Sequence, residues 1–250
     1  MNGIIKITAS LAAILLSTSA FADQVVLGNG TLQGVLDDIT LAPVAGDSSV
    51  DVSADQLEND ELWKVSGTSG SAATLIIEIA GYADRNTFGI YDPANPGVLI
   101  EIFSGADSSG GLPSIIQISN SGQVYVNSVS SGLLTVDIGF NQYAFGYYLT
   151  SPDGGGVTFY SQTDLNGDGV DHMLAFQGTD TDIINNSFGS GLWTDQEYIL
   201  AWEDLIGGGD RDYADMVVIV ESVMPVPEPG TLALLGLGLA GLGAARRRKA

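Results

Sequence analysis

Residues 198–223 read Tyr-Ile-Leu-Ala-Trp-Glu-Asp-Leu-Ile-Gly-Gly-Gly-Asp-Arg-Asp-Tyr-Ala-Asp-Met-Val-Val-Ile-Val-Glu-Ser-Val. Two runs in it, 198–202 and 216–220, are short, apolar and rich in aromatic and β-branched side chains, which suit a pleated sheet. Between them, Glu203 to Asp215 carries five carboxylates and three consecutive glycines, the composition of a turn. The stretch predicts two strands, 198–202 and 216–223, whose ends hold an acidic loop closed.

The same rhythm extends through the rest of the chain. Strands are expected near 63–65, 74–80, 87–91, 98–103, 114–119, 123–129, 133–138, 145–150, 157–161 and 172–177, each bounded by Gly, Ser, Asn or Asp. Short strands are also expected at 25–27 and 49–53. One helical turn is expected where Leu32, Val35, Leu36 and Ile39 fall at i, i+3, i+4 and i+7, with Thr31 as its N-cap. A dozen short strands, 33 glycines and little helical periodicity imply an all-β fold, a β-sandwich of jelly-roll or immunoglobulin-like topology. No internal repeat is visible.

The two ends read as addresses. Lys6, the apolar run 7–16 and Ala20-Phe-Ala22 form a secretory signal peptide over 1–22, cut by signal peptidase before Asp23. At the other end, over 225–250, Pro227-Glu-Pro229 precedes 16 uncharged residues and then Arg246, Arg247, Arg248 and Lys249. A helix of that length reaches roughly 24 Å, short of the ~30 Å hydrocarbon core, and the basic end should stay cytoplasmic. This order of parts resembles the PEP-CTERM sorting signal of Gram-negative bacteria. The resemblance implies an exosortase as partner, transient anchoring in the inner membrane by a C-terminal transmembrane helix, and a cell-surface or extracellular-matrix destination.

The body between, 23–224, has three cations (Lys64, Arg85, Arg211) against 29 acids, a formal charge of −26. Such a surface repels nucleic acid and attracts divalent cations. With no cysteine, no disulfide framework holds the fold.

Two acidic stretches are candidate Ca²⁺ loops. In the first, Asp164, Asn166 and Asp168 fall at offsets 1, 3 and 5, followed by Gly169 and Asp171; oxygen ligands at alternate positions and a glycine are how a loop wraps calcium. Ala175 stands where an EF-hand has its bidentate Glu, so this is no EF-hand, and a polar loop of Asx-turns fits the same residues. In the second, Glu203, Asp204, Asp210, Asp212 and Asp215 repel one another unless solvated, paired with Arg211 or bridged by a cation. Asp210, Asp212 and Asp215 are its leading ligands, and both loops feed one site if their flanking strands are neighbours.

Phe145-Gly-Tyr-Tyr-Leu, 171–177, 199–205 and Gly209-Asp-Arg-Asp-Tyr-Ala-Asp-Met-Val resemble an uncharacterised β-domain of exported bacterial proteins, some of them large calcium-dependent surface proteins. The resemblance implies a β fold and calcium without naming an activity. Ala214 stands where that domain usually has an Asn, which removes one candidate ligand. His172 is the sole histidine, and no nucleophile motif accompanies it. The expected function is therefore non-enzymatic: a Ca-stabilised surface or matrix protein binding exopolysaccharide or other surface components. A secreted polysaccharide hydrolase using two carboxylates is the alternative.

Overall fold

The computed structural model describes residues 24–66, 71–78, 85–103, 114–118, 123–128, 132–136, 140, 144–152, 156–186 and 189–227. The expected signal peptide lies outside them, as does the tail from Glu228 onward with Pro229, Arg246, Arg247 and Arg248. Among the described residues no helix is long and apolar enough to cross a membrane.

The chain is mostly β, arranged in several sheets. The largest runs β11(Met173–Gln177), β14(Glu197–Trp202), β15(Met216–Glu221), β3(Ser71–Glu78), β6(Ser114–Ile118), β7(Val124–Ser128), β8(Gly132–Val136), antiparallel throughout. A four-stranded sheet runs β10(Val157–Tyr160), β9(Gly146–Ser151), β4(Thr87–Asp92), β5(Asn95–Phe103). Smaller sheets are β1(Thr40–Ala42), β12(Ile183–Asn186), β13(Gly189–Leu192), and the pair β16(Val223–Pro225) with β2(Trp63–Val65).

Alternate side chains of a strand face opposite ways, and here both directions are buried. Tyr198, Leu200 and Trp202, with Met216, Val218 and Val220, join Phe88, Ile90, Ile100, Tyr147, Leu149 and Phe159 of the four-stranded sheet in one core. Ile199, Ala201, Val217 and Ile219 turn the other way, onto Leu32, Val35 and Leu36 of the helix α1(Thr31–Ile39) and onto Trp193 and Tyr213. Burial on both faces is why these strands are continuously apolar instead of alternating. In β6 the pattern does alternate: Ser114 and Ile116 are buried while Ile115 and Gln117 are exposed.

The structure corrects four local expectations. Thr31 lies inside the helix, preceded by Gly30, and its N–H is taken by Asn29 Oδ1 at 2.8 Å, so Asn29 supplies the capping oxygen. Residues 25–27 form no strand, because Val25 N–H bonds the Gln56 side chain instead of a ladder partner. Residues 49–53 turn instead of extending, with Ser48 Oγ and Ser49 N–H on the buried Asp182 carboxylate. The run 216–223 divides at Ser222, whose φ of 57° turns the chain out of the large sheet and into β16.

Candidate metal centre

The register places both acidic stretches at one end of the large sheet. Trp202, the last residue of β14, pairs with Met173 at the start of β11 and with Met216 at the start of β15. The segment leading into β11 and the β14–β15 loop therefore leave the sheet side by side. They are bonded together: Gly207 N–H donates to Asp168 Oδ2 at 2.8 Å, and His172 Nδ1 lies 2.9 Å from the Glu203 carbonyl.

The first stretch satisfies itself. Asn166 Oδ1 accepts Tyr160 N–H at 2.8 Å, and its Nδ2 donates to the Tyr160 and Val170 carbonyls at 3.0 and 2.9 Å, so the amide is spent on closing the loop. Asp168 Oδ1 accepts Val170 N–H, and its Oδ2 lies 3.0 Å from His172 Nε2. Burial pushes the Asp168 carboxyl up, but the bonds from Gly207, His172 and Val170 outweigh it and hold the group at about 2, below the ordinary 3.8. His172 is itself buried and stacked on Phe159 with ring centroids 3.9 Å apart. Asp171 Oδ1 accepts Met173 N–H, and burial raises its carboxyl to about 6. Asp60 is buried too, and burial first and then the Asp171 charge push its carboxyl well above the ordinary carboxylate range. Asp164 is exposed, in the short 3₁₀ turn Thr163–Leu165.

The second stretch is different. Glu203 is 0 % exposed, yet neither carboxyl oxygen receives a hydrogen bond. Glu203, Asp212 and Asp215 each bring one carboxylate oxygen within 4.8 Å of the other two, the one such set of three among the described residues. Asp215 Oδ2 accepts Asp204 N–H at 2.9 Å, and Asp212 Oδ1 accepts Ala214 N–H at 2.9 Å. Asp204 is also buried, and its Oδ2 accepts Asn86 Nδ2 at 2.9 Å. Asp210 is exposed at the loop's rim. Burial first, and then the neighbouring acids, push Glu203 up to about 8 and Asp215 to about 7; burial raises Asp204 as well. Arg211 is exposed and makes no ion pair among the described residues, so it does not neutralise the cluster.

The glycines explain how Glu203 fits. At Gly209, with φ +42°, an added Cβ would stand 2.1 Å from Glu203 Oε1, so the backbone passes where only a hydrogen leaves room for the carboxylate. Three hard oxygen donors, one of them the unbonded buried Glu203 carboxyl, with no thiol or imidazole in the set, have the chemistry of a hard-cation site and not of a thiolate or imidazole one. The structure thus brings Glu203, Asp212 and Asp215 together, keeps Asp204 behind them, leaves Asp210 outside, and holds Asp164, Asn166, Asp168 and Asp171 in the adjoining loop. Sequence reasoning missed Asn86, which reaches Asp204 from 118 positions away. No local spacing signals that meeting.

Residues 131–223, which include both acidic loops, match a domain of unknown function, DUF4114. Residues 225–249 match the PEP-CTERM protein-sorting motif. The chain therefore carries an exosortase sorting signal behind a β-domain, and is an exported protein. No curated protein and no solved structure matches it.

Proposed function

We propose that this is a non-enzymatic surface or matrix protein, a calcium-stabilised β-sandwich delivered by its two terminal signals and released from the inner membrane by exosortase processing. The sandwich reading rests on the core shared by the four-stranded and the seven-stranded sheets. The calcium reading is carried by one observation: the buried Glu203 carboxyl, without a hydrogen bond, facing Asp212 and Asp215. An unpaired buried carboxylate is costly, and it either takes a proton or takes a cation. Outside a cell, where calcium is plentiful, a site of this kind takes the cation.

The proposed binding partner is a polysaccharide of the matrix or another surface component. A groove of about 400 Å³ beside α1, lined by Asn29, Gln33, Asp37, Ser48, Ser49 and Asp51, is the polar surface proposed for such a partner, although Gln33, Asp37 and Ser48 are already hydrogen-bonded within the protein. Hydrolysis by a carboxyl pair is disfavoured because Glu203, which has the raised carboxyl an acid catalyst needs, is out of reach of a polymer chain. Melting the protein with calcium and with a chelator tests the reading. A rise of several degrees at millimolar calcium is expected, and no rise would sink the calcium part.

A further inference from the structure

The loop from Glu203 to Asp215 is tied to three other parts of the chain. Its Arg211 carbonyl accepts Gly28 N–H at 2.9 Å, anchoring the N-terminal segment; an added Cβ at Gly28 would lie 1.8 Å from the Asp210 carbonyl, so the two backbones are in direct contact. Its Gly207 N–H and Glu203 carbonyl hold Asp168 and His172 of the neighbouring loop, and the Tyr213 hydroxyl donates to the Asp171 carbonyl. Its Asp204 carboxylate holds Asn86 at the entry to β4.

The loop is also unfavourable by itself. Arg211 and Tyr213 sit at φ 58° and 53°, a conformation that side-chain-bearing residues adopt rarely. Tyr213 is nevertheless fully buried in the second core. Five acids crowd the loop, and its one cation, Arg211, is exposed and makes no ion pair among the described residues. What would draw this shape together is a positive charge at the point on which Glu203, Asp212 and Asp215 converge.

We propose that a calcium ion held by Glu203, Asp212 and Asp215 is the clasp of this end of the molecule, and that its occupancy governs the order of three segments together. These are the loop itself, the adjoining loop 163–172, and the N-terminal segment 24–28. Asp204, positioned by Asn86, is a supporting residue that hands Asp215 its backbone N–H. The inference rests on the calcium reading above and adds what the ion controls. Because β14 is laddered to β11 and β15, and β15 to β14 and β3, the large sheet stays folded when the clasp opens.

Amide hydrogen exchange on the full chain, in about 1 mM Ca²⁺ and in chelator, tests it. Protection in 203–215, 163–172 and 24–28 is expected to rise at least about tenfold with calcium, while β14 and β15 stay unchanged. Glu203→Gln is expected to abolish the calcium response; if that variant fails to fold, Asp212→Asn removes a ligand from a less buried position. Protection that rises evenly over the whole domain would overturn the clasp and leave calcium as a general stabiliser. Calcium that changes neither melting nor exchange would overturn the clasp and the calcium reading together. Equal protection from Mg²⁺ would overturn the assignment of the ion.

Discussion

The two acidic loops lie against each other at one end of the same sheet and look alike in composition, yet they solve the problem of charge in opposite ways. In the first, the buried Asn166 makes three hydrogen bonds, the buried His172 has a partner on each ring nitrogen, and the more exposed Asp168 lies between Val170, Gly207 and His172. In the second, the most deeply buried carboxylate finds none. The loop with the more calcium-like spacing is thus the one whose polar groups already have protein partners, and the orphaned carboxylate lies in the loop without that spacing.

The largest effect expected is from calcium on the second loop. An ion at about 100 times its Kd stabilises by about 2.7 kcal/mol, which for a domain of this size raises Tm by roughly 5–10 °C. Glu203→Gln should cancel that rise in a thermal melt while making the metal-free protein more stable by about 1 kcal/mol or more near neutral pH, because the cost of protonating or desolvating that carboxyl on folding is removed.

In the first loop, Asn166→Ala should cost about 1–3 kcal/mol in chemical denaturation through the loss of its loop-closing bonds, with the calcium-induced rise in Tm intact. A lost calcium response in that variant would mean that the two loops are one site.

The pH dependence separates Asp168 from the acids of the second loop by sign. Glu203 and Asp215 have folded values raised to about 8 and about 7. Their stabilising effect on the metal-free fold is complete below about pH 4 and is lost as pH rises through about 7–8. The calcium increment in Tm should therefore be small near pH 5 and full above about pH 8. Asp168, held at about 2, contributes stability that is complete above about pH 4 and lost as pH falls through about 2. Asp171, at about 6, follows the sign of Glu203 within the first loop. Melting curves across pH, with calcium and with chelator, would show whether the increment follows this course. The smallest effect is expected from Asp164→Asn, an exposed change that should stay within about 0.5 kcal/mol and leave calcium binding untouched.

Much of the β-structure was legible because strand chemistry is local. The runs at 198–202 and 216–220 could be read from their apolar content, and α1 from the spacing of Leu32, Val35, Leu36 and Ile39. The strands missed had little local signal. Gly189–Leu192 is Gly-Ser-Gly-Leu, poor strand material, and is a strand because Ile183–Asn186 pairs with it. Residues 25–27 erred the other way, apolar enough for a strand but offered no ladder. For the site, composition showed that the second loop was overcharged, and the glycines showed that its backbone came close. Composition did not show that Glu203 was the buried member, or that Asn86 would reach Asp204. Both depend on how two sheets meet, which a one-dimensional pattern does not encode.

The way the chain leaves the large sheet has a mechanical consequence. After Ser222 the polypeptide passes through β16 and on to the sorting motif, so any tether at the C-terminus pulls on that route. The first bonds to bear the load are those between β16 and β2, a ladder from Val223 to Pro225 that would yield early. Behind it stands β15, an interior strand paired from Met216 to Glu221 with β14 on one side and β3 on the other. Pulled along its length, such a strand must shear two ladders at once. The geometry gives a short yielding link in series with a stiff one.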